Sequence, residues 1–344
     1  MRIAVYECEN WECDVFQPLT DEHQIETTGK ALNAETVQER TDAEIISTFI
    51  YSKLDRSVLE RMPELKMIAT RSTGIDHIDL DYCREHGVMV CNVPTYGTAT
   101  VAEHTFALLL AVCRKLPEAI DRTRRGDFSP AGLQGLDLIG KTIGVVGTGS
   151  IGAHVVRIAR GFDMRVLAYD VKPRRDLTEK YQCEYVDMDS LLVQSDFVTL
   201  HVPAIPQTYK LIGGEQFRKM KRGAILINTS RGSVVDTTAL TEALANGTVA
   251  AAGLDVLPQE PVIREEAELL RSVYQRRHEQ DLATLLADNV LLRLRNVIIT
   301  PHNAFNTIEA VRRILETTFE NIDAYLKGQP VNVAVSPEHA PAGA

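Results

Sequence analysis

The sequence predicts an α/β protein with two parallel sheets, and three observations lead to this prediction. Short, continuously apolar runs recur along the chain, as in strands that are buried on both faces of a parallel sheet. Segments with a helical spacing of apolar residues separate most of these runs. The chain has 344 residues, which is more than one core comfortably supports, so we expect two domains.

The first series of strands lies in the N-terminal third. Buried strands are expected at RIAVYE (2–7), AEIISTFI (43–50), LKMIATRS (65–72) and VMVCNV (88–93). Between the last two, Asp79 is a typical N-cap and Gly87 a typical stop for a short helix. A long helix then begins near Thr98 or Thr100 and keeps its apolar face until Gly126 and Pro130 break the pattern.

A second and more regular series begins near residue 141. Strands are expected at 141–146, 164–169, 196–202, 223–229, 249–256 and 296–300. Helices fit between most of them, at 150–161, 187–194 and 236–245. This alternation predicts a doubly wound parallel sheet. Two further stretches have a helical pattern, the charged insertion 261–290 and the C-terminal segment 307–327, and the chain ends in a frayed tail.

Composition and charge exclude several classes of protein. With 37 basic and 47 acidic residues the net charge is −10, so the surface as a whole would repel nucleic acid and anionic membranes. The six cysteines are scattered, which indicates buried free thiols in a reducing compartment and no metal site. We find no signal-peptide pattern and no apolar run long enough to span a bilayer, and therefore expect a cytoplasmic protein.

The stretch VVGTGSIG carries the pattern of a dinucleotide-binding loop. A bare G-x-G-x-x-G is weak evidence, but this one follows a strand and opens a helix. Gly147 would allow the tight turn, Gly149 would let a pyrophosphate approach the backbone, and Gly152 would let helix and strand pack closely. The phosphates would lie on the N–H groups of Ser150 and Ile151, at the positive end of the helix.

The next strand ends in an acid that suits the same ligand. Asp170 would bind the ribose hydroxyls of the adenosine half and repel a 2′-phosphate, which favours NAD over NADP. Basic residues within 172–175 follow closely, so some use of NADP stays open. The alternative interpretation is a structural glycine turn with a capping aspartate.

Three polar side chains follow later strands of the second series. Arg231 follows GAILINT, Glu260 follows the strand that ends in GLDV, and His302 follows NVIIT. Ligand-binding groups lie at the carboxyl ends of strands in open α/β folds. An arginine can clamp a carboxylate, a histidine is the natural acid and base near neutral pH, and a nearby glutamate would orient its imidazole. Each of these residues, taken alone, could have a purely structural role. Three complementary groups at successive strand ends instead indicate a catalytic set.

These motifs resemble those of a known family in their order and in their strand-end contexts. VVGTGSIG, INTSRGSVVD, LDVLPQEP and TPHNAF are similar to motifs of the D-isomer-specific 2-hydroxyacid dehydrogenases. The stretch TRSTGIDHIDL…NVPTYGTATVAEHTFAL resembles that family's substrate loop and hinge helix. The resemblance covers about residues 2–330 and is strongest to the D-lactate dehydrogenase branch, partly because of the long insertion between Glu260 and His302.

The resemblance implies roles for individual residues. Arg231 would bind the substrate carboxylate and keto oxygen, and His302 would exchange a proton with that oxygen, with Glu260 as its partner. Further cofactor contacts would come from Val202 and Pro203 at the adenine, Thr208 near the phosphates, and Thr229 and Asp255 at the nicotinamide carboxamide. The substrate would meet the backbone of Thr73 and Gly74 with its carboxylate, and Tyr51, Tyr96 and Phe305 with its side chain.

The resemblance also implies the domain plan. A Rossmann NAD-binding domain (100–301) would be inserted into a split flavodoxin-like substrate domain (1–99 and 302–344). Helices near 100–119 and 304–327 would serve as the hinge, and closure would exclude water from the substrate. The nucleotide domain would form a homodimer.

The implied activity is NAD-dependent reduction of a small 2-oxo acid, with pyruvate and D-lactate first. The aromatic pocket residues and the few nearby basic residues, Arg71 and Lys53, argue against a phosphorylated substrate. Hydroxypyruvate or glyoxylate reduction stays open within the family. Another class also stays open, an NAD-sensing corepressor that binds partner peptides.

Overall fold

A computed structural model of the chain describes residues 1–258 and 279–336. Its contacts divide the chain into two compact units. The split unit consists of Met1–Tyr96 together with the chain from Thr307 onward, and the central unit is Gly97–Asn306. These boundaries differ by a few residues from the expected ones at 99/100 and 301/302.

The split unit is built on a six-stranded sheet. Its strands are β1 (Arg2–Val5), β2 (Gln24–Thr27), β3 (Ile45–Thr48), β4 (Met67–Thr70), β5 (Met89–Cys91) and β13 (Val333–Val335). The order is β13-β5-β4-β3-β1-β2, with every pair parallel except β13 and β5. The five N-terminal strands have the flavodoxin-like order, whose direction of winding reverses between β1 and β3. The predicted fold of this unit is confirmed.

The two edge strands of this sheet, β2 and β13, were not expected from the sequence. Most residues of β2 and of β13 are exposed or half-buried, so neither strand has a continuous apolar run. The helices of the split unit are α1 (Asn10–Cys13), α2 (Arg56–Leu59), α3 (Leu80–Glu85) and α12 (Ile308–Leu326). Asp79 caps α3 as predicted, because its side chain accepts a hydrogen bond from the backbone N–H of Tyr82.

The central unit is built on a seven-stranded sheet in which every pair is parallel. Its strands are β6 (Thr142–Val146), β7 (Arg165–Tyr169), β8 (Glu184–Tyr185), β9 (Phe197–Leu200), β10 (Ala224–Asn228), β11 (Val249–Leu254) and β12 (Val297–Ile299). The order β12-β11-β10-β9-β6-β7-β8 is that of a Rossmann sheet with one added strand. Winding reverses between β6 and β9, where such folds bind their ligands.

Helices connect these strands as the alternation predicts. They are α4 (Thr98–Cys113), α5 (Leu116–Arg124), α6 (Ser150–Gly161), α7 (Arg175–Tyr181), α8 (Met188–Gln194), α9 (Gly214–Lys219), α10 (Thr237–Ala245) and α11 (Glu279–Leu291). The last lies between β11 and β12 and represents the described part of the predicted insertion. Residues 261–278, Glu260 and most of the expected C-terminal tail lie outside the described residues.

The prediction of one long helix after residue 98 is wrong. The helix ends at Cys113, Lys115 takes a left-handed conformation with φ of 50°, and α5 begins after it. Pro117 has no N–H to donate and its ring would clash with the preceding turn, so it fits only in the first turn of a new helix. The carbonyl of Cys113 instead accepts a hydrogen bond from the backbone N–H of Leu136, at 3.0 Å.

Among the described residues, no helix combines the length and the apolar character that a membrane span requires.

The six cysteines are free thiols, and all but Cys13 are buried.

Candidate cofactor and active site

The glycine loop lies directly after β6, at the point where the winding of the central sheet reverses. Gly147 has φ of 92°, and a Cβ at this position would lie 2.6 Å from the carbonyl oxygen of His201, after β9. A Cβ on Gly152 would collide with the carbonyl oxygen of Gly147. A Cβ on Gly149 would contact nothing, so this glycine leaves open space beside the backbone. The loop therefore has the shape that admits a pyrophosphate.

The start of α6 supplies donors to this open space. The first backbone hydrogen bond of the helix runs from the N–H of Ala153 to the carbonyl of Gly149, at 3.0 Å. The N–H groups of Ser150 and Ile151 precede this bond and have no partner inside the helix. With the positive end of the helix dipole, they suit the phosphates of a dinucleotide.

Asp170, directly after β7, binds the backbone of the glycine loop. Its Oδ2 accepts hydrogen bonds from the backbone N–H of Thr148 at 2.6 Å and from its hydroxyl at 3.0 Å, while Oδ1 accepts from the N–H of Lys172 at 2.8 Å. Burial alone would raise the pKa of Asp170, but these donors together lower it below its ordinary value. The carboxylate keeps acceptor capacity, since each oxygen has two lone pairs, and it fits a ribose with free hydroxyls.

The remaining expected cofactor residues lie along the same edge of the central sheet. Val202, Pro203 and Thr208 follow β9, and the hydroxyl of Thr208 donates to the carbonyl of Pro203 at 2.5 Å, which closes this loop. Thr229 follows β10, is buried, and shares a 2.9 Å hydroxyl–hydroxyl hydrogen bond with Thr105 of α4.

Arg231 lies in a loop that is fixed by the side chain of Asn228, the last residue of β10. The amide of Asn228 donates to the carbonyl of Arg231 at 3.0 Å, and its Oδ1 accepts from the N–H and hydroxyl of Ser230 at 3.0 and 2.8 Å. The next residue, Gly232, packs so closely on the backbone of Leu257 that a Cβ would collide with it. The loop after β10 is thus locked against the chain that leaves β11.

His302 lies after β12 in a loop that is organised by Asp255, a 1% exposed carboxylate at the end of β11. Asp255 Oδ1 accepts from the N–H of Asn303 and Oδ2 from that of Ala304, both at 3.0 Å. The N–H of His302 donates to the backbone carbonyl of Asp255 at 2.9 Å, and the φ of His302 is 53°. A left-handed histidine is uncommon, and Asp255 holds it in place.

Two residues that the sequence did not single out complete this network. The hydroxyl of Thr300 donates to Oδ1 of Asp255 at 2.5 Å, and Nε2 of His104, on α4, lies 3.1 Å from Oγ1 of Thr300. The sequence gives no signal for His104, because nothing in VAEHTF links it to a strand end of the sheet. Only the packing of α4 reveals its place beside the His302 loop.

Arg231 and His302 follow strands that are separated by β11 alone. The strand ends from which their loops leave are therefore about 10 Å apart, which is twice the spacing of strands in a sheet. Glu260 lies outside the described residues, just beyond Pro258. One edge of the central sheet thus carries the glycine loop, Asp170, Arg231 and His302.

His201 differs from His302 although it also follows a strand of this edge. Burial lowers the pKa of His201 to about 3, so its imidazole is neutral at physiological pH. Its Nε2 lies 2.9 Å from the hydroxyl of Thr199. A neutral imidazole is not a general acid near neutral pH, so His201 is not a second candidate for that role.

The expected substrate residues of the split unit follow its own strands. Thr73 and Gly74 follow β4, and the hydroxyl of Thr73 donates to the carbonyl of Val93 at 2.7 Å. Tyr51 follows β3 and is 51% exposed. The carbonyl of Tyr96 accepts from Nε of Arg313 at 2.9 Å. Phe305, the last of the set, belongs to the central unit and is half-buried.

Comparison with known proteins gives a consistent result. Residues 106–304 match the family model described as D-isomer specific 2-hydroxyacid dehydrogenase, NAD binding domain. The chain is 40% identical over 292 residues to a glyoxylate reductase of Korarchaeum cryptofilum, which covers 84% of this chain and 81% of that one. It is 34% identical to the D-lactate dehydrogenase of Escherichia coli, across 96% of this chain and 98% of that one.

A solved structure matches over almost the whole chain. The crystal structure of D-lactate dehydrogenase from Aquifex aeolicus, complexed with NAD and lactic acid, superposes with a TM-score of 0.85 at 37% identity. The match covers 98% of this chain and 100% of that chain. Both the fold and the cofactor, NAD, follow from these findings.

Proposed function

The chain belongs to the D-isomer-specific 2-hydroxyacid dehydrogenases, NAD-dependent oxidoreductases, and we propose that it reduces pyruvate to D-lactate. The observation that carries the proposal is the match to a lactate-complexed lactate dehydrogenase over 98% of this chain and 100% of that one. The glyoxylate reductase has the higher sequence identity, 40% against 37%, but its match covers only 84% of this chain and 81% of the glyoxylate reductase chain.

Three side chains carry the proposed chemistry. NADH supplies the hydride when it is bound. Arg231 binds the carboxylate and the keto oxygen of the 2-oxo acid with its planar fork. His302 donates a proton to the keto oxygen as that oxygen becomes a hydroxyl, and takes it back in the reverse direction, with Glu260 orienting the ring. The hydrogen bonds of Asn228 and Asp255 support this assignment, because they fix the two loops before substrate arrives.

The surroundings of the expected substrate loop favour a small, uncharged side chain. Arg71 is 2% exposed, and its Nη2 donates to the backbone carbonyls of Tyr6 and Glu7 at 2.7 and 2.5 Å. Nζ of Lys53 lies 3.4 Å from Oδ2 of Asp55. Arg71 is thus buried with its Nη2 bound to backbone carbonyls, and Lys53 is an exposed residue beside an acid, so a phosphorylated substrate would find few cationic partners near the loop. The aromatic residues that the resemblance assigns to the substrate side chain, Tyr51 and Tyr96 in the split unit and Phe305 in the central unit, suit a methyl group better than a phosphate.

Glyoxylate reduction is the second candidate, and the 40% identity to a glyoxylate reductase favours it. Steady-state rates with NADH on pyruvate, glyoxylate and hydroxypyruvate separate the two. We expect the kcat/KM for pyruvate to exceed the other two by about tenfold, the lower end of the range that one pocket-filling group supplies. A preference for glyoxylate or hydroxypyruvate would overturn the lactate assignment and leave the family intact.

We also propose that the protein is a homodimer through the central unit. None of the residues of α5 is buried, although this helix carries Leu116 and Ile120, which are 44% and 47% exposed. The chain that follows exposes 80% of Phe128 and 66% of Ile139. Apolar exposure on this scale along one segment is typical of a covered interface. Multi-angle light scattering should give twice the 38.2 kDa chain mass, and a monomer would contradict the proposal.

The compartment that we propose is the cytoplasm. Six free thiols, five of them buried, suit a reducing compartment.

A further inference from the structure

Glu7 lies just after β1, at the point where the winding of the split sheet reverses. Its carboxylate contacts the loop that follows the neighbouring strand β3. Oε2 of Glu7 accepts from the N–H of Phe49 and Oε1 from the N–H of Tyr51, both at 2.7 Å. Charge-assisted bonds of this length are the stronger class of hydrogen bond.

Ser52 ties this contact into the interior of the unit. Its hydroxyl, in a residue that is 2% exposed, donates to Oε2 of Glu7 at 2.6 Å and accepts from the N–H of Leu32 at 2.9 Å. The carboxylate of Glu7 therefore binds three donors from one short loop. That loop presents Tyr51 to solvent at the carboxyl edge of the sheet.

The backbone of Glu7 is held from the opposite side. Its φ is 52°, an uncommon conformation for a residue other than glycine. Nη2 of Arg71, directly after β4, donates to the carbonyls of Tyr6 and Glu7, and the N–H of Glu7 donates to the carbonyl of Lys30 at 3.0 Å. Arg71 lies two residues before Thr73 in the loop of Thr73 and Gly74. Glu7 thus connects the Tyr51 loop to the strand end that leads to the expected carboxylate-binding loop.

We propose that Glu7 is a positioning residue that sets selectivity for the substrate side chain, because it fixes Tyr51 relative to the loop of Thr73 and Gly74. The inference rests on the proposed function, in which both loops meet the 2-oxo acid. Glu7 touches neither the reacting atoms nor the cofactor in this scheme. It acts on the part of the substrate that distinguishes pyruvate from glyoxylate, which has no side chain.

Glu7→Gln tests the carboxylate with little change in shape. The amide has one acceptor oxygen where two are needed, so one of the N–H groups of Phe49 and Tyr51 would face an NH₂ donor. A matched control is Glu85→Gln in the same unit, which removes an exposed carboxylate that pairs with Arg56 at 2.8 Å. Ser52→Ala, which removes one donor to Glu7 and also the acceptor of the buried N–H of Leu32, serves as a second variant that keeps the carboxylate.

We expect Glu7→Gln to change the selectivity between pyruvate and glyoxylate, and the change to appear in KM. The ratio of kcat/KM for pyruvate to that for glyoxylate should fall about fourfold in Glu7→Gln, which corresponds to the burial of one methyl-sized group. The kcat on glyoxylate and the Kd of NADH should stay within about twofold of wild type, a change too small to indicate a lost interaction. Ser52→Ala should shift the ratio in the same direction by less, and Glu85→Gln should leave it unchanged.

A double variant decides whether Glu7 acts through Tyr51. Tyr51→Ala alone should lower the ratio, and adding Glu7→Gln should lower it no further. Suppose that wild type reduces 2-oxo acids. The inference is then overturned, and the proposed function stands, if Glu7→Gln keeps the wild-type ratio. The same holds if Glu7→Gln lowers the ratio by the same factor in wild type and in Tyr51→Ala. If wild type reduces no 2-oxo acid, the proposed function falls first and the inference with it.

Discussion

The carboxyl edges of the two sheets are held by the same device, a carboxylate that accepts backbone N–H groups. In the central unit Asp170 holds the glycine loop and Asp255 holds the His302 loop. In the split unit Glu7 holds the Tyr51 loop. The first edge carries the expected cofactor and proton-transfer groups, and the second carries groups expected to meet the substrate side chain. From this comparison we expect the residues that support the chemistry to differ from those that support substrate selectivity.

Removing the proton donor should have the largest effect of any change at the central edge. His302→Ala should lower the kcat for pyruvate reduction by about 10²–10⁴-fold, the usual contribution of a positioned general acid. Stopped-flow or steady-state NADH oxidation measures it. His86→Ala, at an exposed histidine in the split unit, is the control. Near-wild-type turnover of His302→Ala would show that the proton comes from elsewhere.

Weakening the support of the His302 loop should have the next largest effect. Asp255→Asn replaces one acceptor oxygen by a donor, so a buried N–H of the loop loses its partner. We expect the free energy of unfolding to fall by about 1–3 kcal/mol, the cost of one unsatisfied buried group, and kcat to fall while the pyruvate/glyoxylate ratio holds. Denaturant titration and substrate kinetics check the two parts. A change in that ratio would break the separation of the two edges.

Substitution of Asp170 should change the preference between NADH and NADPH and leave the substrate preference unchanged. Asp170→Ala removes the charge that would repel a 2′-phosphate, so the preference for NADH over NADPH should fall by roughly tenfold or more, since a like-charge contact costs several kcal/mol. Kinetics with both cofactors measure the preference, with Glu184→Ala, an exposed acid on β8, as control. An unchanged preference would mean that another residue reads the ribose.

The smallest expected effect is on stability at acid pH. The pKa of Asp170 is lowered in the folded protein, so its contribution to stability is fully present above the unfolded pKa of about 3.9 and is lost as the pH falls through the folded value. The difference in unfolding free energy between wild type and Asp170→Asn should be constant from about pH 7 to 5 and shrink below about pH 4. A difference that grows on acidification would contradict this sign.

The sequence predicts the central edge better than the split edge for a physical reason. The position of Asp170 follows from a strand end and a glycine loop, which periodicity and motif spacing reveal. Asp255 enters only through the family resemblance, and for a different role, at the nicotinamide carboxamide. Glu7 accepts hydrogen bonds from Phe49 and Tyr51, which lie 42 and 44 positions further along the chain, and no local pattern marks such a pair. The break at Lys115 was missed because the apolar face continues past it, although Pro117 was the available signal.

The enantiomer of lactate formed from pyruvate and NADH tests the central claim most directly. The purified 344-residue chain should oxidise NADH with pyruvate, and the product should be D-lactate with an equivalent amount of NAD. His302→Ala should form little product over the same time. Production of L-lactate, or no NADH oxidation with pyruvate while glyoxylate or hydroxypyruvate is reduced, would contradict the assignment.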